Sequence, residues 1–94
     1  MEFNKPIKII HAGKVTHYYP HLGVAAVKVE YPVAKGDHIV IAGRSTNFEE
    51  DVDSMEFEHH KIKEAHIGEE VGIKVHEKAR EGDEVYKVEE LHAA

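Results

Sequence analysis

Three times this chain sets a glycine and an acid just ahead of a short apolar alternation. The phrases are "VAKGDHIVIAG" from Val33 to Gly43, "AHIGEEVGIKV" from Ala65 to Val75, and "AREGDEVYKV" from Ala79 to Val88. A glycine adopts positive φ where other residues resist it. The acid after it can accept hydrogen bonds from nearby backbone N–H groups, as turn acids do. The alternating residues that follow point one set of side chains to a common face of a sheet. The phrase therefore predicts three corners where the chain turns and enters a β-strand. The glycines stand at positions 36, 68 and 82. Their unequal spacing rules out a tandem repeat of fixed length.

The rest of the chain also reads as strand. "KPIKIIHAGKVTHYY" (Lys5 to Tyr19) is rich in β-branched and aromatic residues, and Gly13 in its middle predicts a bulge, a bend or a break. "PHLG" (Pro20 to Gly23) is a turn by composition. "VAAVKVEY" puts Ala25, Val27, Val29 and Tyr31 on one face, and Pro32 stops it. "DVDSMEF" (Asp51 to Phe57) and "EEVGIKV" (Glu69 to Val75) continue the pattern, and "GRSTNFEED" (Gly43 to Asp51) reads as a loop. No window holds a helical stripe; the best helix candidates, "FEED" and "EKAREG", are short. About six to seven close-spaced strands predict an all-β fold, a small closed antiparallel β-barrel, since closure hides strand edges. We expect one domain over residues 1–94, with its core at about 7–88 and short flexible termini.

Composition excludes several functions. There is no cysteine, so disulfides, thiol catalysis and cysteine metal sites are out. No apolar run approaches the ~20 residues of a membrane helix, and the start "MEFNKPIKII" has no secretory pattern. A soluble, cytoplasmic protein with no membrane partner is expected. Acids outnumber Lys and Arg by 18 to 12, for a net charge of −6. That field opposes long-range capture of RNA, whose binding draws on basic side chains.

The order of the corners carries a resemblance. "GKV" (Gly13 to Val15), "VAKGDHIVIAG", "VDSMEFEHHKIKEAHIGEEVGIKV" (Val52 to Val75) and "REGDEVYKV" (Arg80 to Val88) together resemble the second-domain β-barrel of translational GTPases, such as elongation factor Tu and initiation factor 2. The pattern is closer still to small proteins called translation elongation factor-like. A similar barrel ends members of the collagenase-like peptidase family, some of which act in RNA modification. The resemblance implies a domain-two type barrel that works as a binding module, with tRNA, rRNA, the ribosome or a translation or RNA-modification protein as partner. It carries no nucleotide hydrolysis, because the chain has no GxxxxGK[ST] phosphate loop. No cofactor is implied.

Candidate residues fall into three groups. The stretch Arg44, Ser45, Thr46, Asn47 and Phe48 follows a predicted strand, where loops on a rigid scaffold commonly bind. Arg44 can pair with phosphate or carboxylate. Phe48 can stack on a base or anchor a protein partner, or it can pack into the core. A basic patch of Lys5, Lys8, Lys14, Arg44 and Lys61 would serve RNA. Tyr18, Tyr19 and His21 form an aromatic group at the first hairpin tip. The chain also has nine histidines, and His17, His21, His59 and His60 are candidate ligands for a divalent ion. Neighbouring His59 and His60 would point to opposite faces unless they lie in a turn. No serine or threonine sits in a nucleophile motif, and the acidic run Glu49 to Glu58 reads as a solvated face, so a non-catalytic protein is expected. The alternatives are a histidine-based metal-binding protein and an accessory subunit of a larger enzyme.

Overall fold

The computed structural model describes residues 6–91. The termini expected to be flexible, with Lys5 and His92, lie outside that range. Among the described residues the chain is all strand and turn. The first six strands are β1 (Ile7–Tyr19), β2 (Val24–Val29), β3 (Val33–Ala34), β4 (His38–Ala42), β5 (Asn47–Asp51) and β6 (Met55–Phe57). Four more follow: β7 (His60–Ile62), β8 (Glu64–Ala65), β9 (Glu70–Lys74) and β10 (Glu84–Glu90). Eight of them form one antiparallel sheet in the order β5-β4-β10-β1-β2-β9-β6-β7, and β3 pairs with β8.

One apolar core takes Phe48 from one end of this sheet and Met55 from near the other, together with Ala12, Val15, Val27, Ile39, Ile73 and Val85 from between. A single face that gathers both ends must curl. Gly13 supplies part of the bend. It sits at a register shift in one continuous strand, so of the three expected features the bulge is what the structure has, and a second shift follows between Val15 and His17.

The three corners share one geometry. Gly36, Gly68 and Gly82 have φ of +94°, +92° and +92°. The N–H of the acid donates to the carbonyl three residues earlier: Asp37 to Ala34, Glu69 to His66, Asp83 to Arg80, at 3.0–3.1 Å. Each carboxylate accepts the N–H of that same earlier residue at 2.7–2.8 Å. Each glycine N–H then donates to the carbonyl of a buried valine, Val52, Val29 or Val15, and that valine's N–H donates back to the carbonyl of the acid. Buried residues stand three places before and after every glycine: Val33 and Ile39, Ala65 and Val71, Ala79 and Val85. The phrase is thus a docked turn that opens β4, β9 and β10.

Several expectations change. The sheet is not closed: β5 and β7 stand at its ends and no ladder joins them, and it has eight strands rather than six to seven. Edge strands can be guarded by charge and shortness as well as by closure. Edge β5 carries Glu49, Glu50 and Asp51, and edge β7 is three residues long with His60 and Lys61. The segment read as loop and then as helix, Asn47 to Asp51, is strand β5, because it pairs with β4 residue for residue. "EKAREG" forms no helix; it leads into the Gly82 corner. The strand read over Asp51 to Phe57 is narrower, with only Met55–Phe57 in β6.

Candidate functional site

The outward face of β2, β9 and β6 carries a groove of about 510 Å³. Its floor follows from register. Ala26 pairs with Gly72, and Gly72 with Glu56, so the two smallest side chains meet in one row across the sheet. One wall is the β1–β2 turn, where Tyr19 (45% exposed) and Leu22 (60% exposed) offer apolar surface to solvent. The His17 ring packs edge-on against Tyr19 at 4.4 Å. The other wall is the β6–β7 turn with Glu58 and His59, and Glu70 stands on the rim.

That second turn is strained. Phe57 pairs with His60, which leaves Glu58 and His59 as a two-residue hairpin loop. Both have positive φ, 49° and 67°. This turn type favours Asn-Gly, because L side chains resist the left-handed region. Such outliers gather at functional sites. Replacing the pair with Asn-Gly is expected to stabilise the protein by about 1–2 kcal/mol. The urea midpoint measures it, and an unchanged midpoint would show that the turn holds no strain.

The acids of the rim make no close ion pair, although the ladders set Lys61 opposite Glu56 and Lys28 opposite Glu70. Among the described residues no Lys, Arg or His lies within ion-pair distance of Glu56, Glu58 or Glu70. Lys74, also in the groove, gives its Nζ to the Leu22 carbonyl at 2.6 Å.

A second hollow, about 600 Å³, lies between the β4–β5 turn and the Gly82 corner, lined by Arg44, Ser45, Arg80 and Asp83 among others. The expected binding stretch therefore divides. Arg44 and Ser45 face this hollow. Thr46 is buried with no hydrogen-bond partner for its hydroxyl, Asn47 is exposed at the start of β5, and Phe48 is buried in the core. Phe48 is thus unavailable for stacking, since alternation along β5 turns it inward opposite Ile41. Tyr18 is half-buried against the core, whereas Tyr19 reaches the groove and His21 is exposed. The basic patch does not assemble. Lys8 and Lys14 are on β1, Arg44 follows β4 and Lys61 is on β7, strands that the sheet order separates. Lys14 also sits 3.5 Å from Glu84.

Four histidines, His11, His38, His66 and His76, lie near acids. Among the described residues no three His, Asp or Glu groups converge to hold a metal ion, so His17, His21, His59 and His60, the candidates of the alternative metal reading, form no such cluster. His59 does lie in a turn, which is why it faces the groove while His60 belongs to β7. His38 on β4 has Nδ1 2.8 Å from Asp51 and Nε2 3.3 Å from Glu49, both on β5. The Asp51 hydrogen bond is the largest cause of a pKa raised above the ordinary 6.5; burial opposes it and Glu49 adds to it. Glu84, hydrogen-bonded first by His11 and approached by Lys14, is held below the usual carboxylate value.

A raised folded-state pKa means that His38 stabilises fully below its unfolded value near 6.5, and that the gain fades as pH rises through the folded value. Much of this cluster is solvated, so the effect is small. His38→Gln is expected to cost about 0.5 kcal/mol at mildly acidic pH and nothing at clearly alkaline pH. Paired urea melts of both proteins test it; a pH-independent difference would contradict it.

These features define a small open-sheet domain, curled on one core, with binding surface on its outside and no assembled metal site among the described residues. No family model matches the chain. It is 38% identical over 82 residues to an uncharacterized protease of Methanocaldococcus jannaschii, covering 86% of this chain and 20% of that protein. It is 34% identical over 80 residues to a collagenase of Porphyromonas gingivalis, covering 83% of this chain and 19% of that protein. The chain thus spans about one fifth of the length of these relatives.

Among solved structures it matches the C-terminal domain of a protein described as a U32 peptidase from Geobacillus thermoleovorans, with TM-score 0.78, 25% identity, and coverage of 83% of this chain and 91% of that one. The selenomethionine variant of that domain matches with TM-score 0.76 and 24% identity, over 80% of this chain and 95% of that one. Its homologues are peptidase-family proteins, and its structural counterpart is a C-terminal domain of a U32 peptidase. Of the two likenesses seen in the sequence, these findings support the collagenase-like one and lend none to the translation factors. No helix among the described residues is long and apolar enough to cross a membrane.

Proposed function

We propose that this domain is a non-catalytic binding module of a peptidase-family protein, acting on that protein's body or its substrate. The observation that carries the reading is the match of 83% of this chain to 91% of a C-terminal domain whose structure was solved by itself. The outward groove supports it, since a rigid sheet with an open face suits contact with a partner.

Two measurements test the proposal. The purified domain is expected to cleave neither casein nor gelatin. Tagged and expressed in its native host, it is expected to bring down a peptidase-family polypeptide in stoichiometric amount. Cleavage by the domain alone, or recovery of no such protein, would refute the reading.

One observation favours a second reading, the translation or RNA-modification partner. Arg44 and Arg80 line one hollow, and arginine suits phosphate, though Glu81 and Asp83 line the same hollow. Titration with tRNA and ribosomes at low and moderate salt tests it, with Arg44→Ala as the control. With a net charge of −6 we expect weak, salt-sensitive binding at most.

A further inference from the structure

We propose that the outward groove of β2, β9 and β6 binds an extended segment of another polypeptide in which an aliphatic or aromatic side chain stands beside Lys or Arg. The inference rests on the binding-module reading and names the chemistry of the partner.

The apolar half of the argument is geometric. Ala26 and Gly72 meet across the β2–β9 ladder, so the floor lacks side-chain bulk where the neighbouring rows have Val24 opposite Lys74 and Lys28 opposite Glu70. A volume of about 510 Å³ takes more than one side chain. Tyr19 and Leu22 leave large apolar surface open on one wall. An apolar side chain laid on Ala26 and Gly72 against that wall would remove part of this surface from water, worth about 25 cal/mol per Å² covered.

The polar half is charge. Glu56 and Glu58 bound the opposite wall and Glu70 the rim; none of the three makes a close ion pair among the described residues, and they outnumber the one lysine of the groove lining, Lys74. Lys74 keeps its charge but directs it at the Leu22 carbonyl, on the wall opposite Glu58. A basic side chain next to the anchor would reach these carboxylates, and the net charge of −6 would speed its approach. The same carboxylates repel a phosphate backbone, which argues against RNA as the occupant.

The experiment follows amide shifts of the ¹⁵N-labelled full chain during titration with short peptides. Alternating Leu-Lys is expected to give saturable shifts at Tyr19, Ala26, His59 and Gly72. Leu-Glu, Ser-Lys and oligouridine are expected to leave those amides in place. Gly72→Leu fills the floor from the solvent side; its Cβ meets only Val24 Cγ1 at 3.0 Å and the Glu56 carbonyl at 4.0 Å. It should weaken Leu-Lys binding about tenfold or more. Should Gly72→Leu fail to fold, Glu58→Lys, on an exposed turn, is expected to show the same loss.

The proposal is overturned by no Leu-Lys binding, by equal binding of Ser-Lys, by undiminished binding by both variants, or by shifts at these amides from self-association without peptide. Peptide shifts mapping to Arg44 and Arg80 instead would also overturn the groove while leaving the module reading intact. That reading stands or falls separately, on the co-purification.

Discussion

Gly13→Ala is expected to lower the stability of this domain by about 3 kcal/mol, the upper range for overpacking. For a domain of this size that is a fall in Tm of about 10–25 °C. A Cβ at position 13 would lie 2.4 Å from the Lys28 carbonyl oxygen and 2.8 Å from Val27 Cγ1. The first is backbone of the paired strand and the second a fully buried core side chain, so neither can step aside cheaply. The gain from a less flexible unfolded chain, at most about 1 kcal/mol, is smaller than the clash. Gly36→Ala is the informative partner. Nothing lies within 4 Å of a Cβ there, and only the φ of +94° opposes it, so its cost should be about 1–2 kcal/mol. Thermal melts followed by circular dichroism rank the two. A Gly13→Ala protein as stable as Gly36→Ala would contradict the close approach of β1 and β2.

A second large effect is expected where the Gly82 corner meets the β4–β5 turn. The Asp83 side chain is buried, at 5% exposure, and one oxygen accepts the Arg80 N–H at 2.8 Å. Its other oxygen lies 1.9 Å from where a Cβ on Gly43 would be. Gly43→Ala alone should therefore cost about 3 kcal/mol, because the methyl and the carboxylate cannot share the space. Asp83→Ala alone should cost about 2 kcal/mol through the lost turn bond. The double variant should be more stable than the sum predicts by about 1–3 kcal/mol, since the methyl added at position 43 fills what the carboxylate vacates. Urea unfolding of all four proteins closes this cycle. Strict additivity would mean that the two side chains do not compete for one site. Glu69→Ala removes the same turn bond from a half-buried acid and should cost only about 1 kcal/mol.

The corners were legible because everything they require lies within four residues. The positive φ at Gly36, Gly68 and Gly82 and the carboxylate bond back to the turn are local, and the phrase displays both. The alternation of Ile39 with Ile41 and of Val71 with Ile73 was legible for the same reason. Phe48 was ambiguous because the phase of β5 is set by its pairing with β4, which no single residue announces. The Glu58-His59 turn was missed because it lacks the Asn-Gly signature of its class. Pairing of His38 with Asp51 depends on the same β4–β5 register, and so was not legible from the sequence.

The sequence by itself determined the all-β class, the three turns and the absence of thiol chemistry, because periodicity, φ preference and composition are properties of short stretches. Only the tertiary structure decided that the sheet stays open, that Arg44 and Arg80 line one hollow, and that Ala26, Gly72 and Glu56 form one row between Tyr19 and His59. Those relations join residues far apart in the chain. They depend on strand order and on two register shifts in β1, and moving a register by one residue would turn the groove floor to the other face.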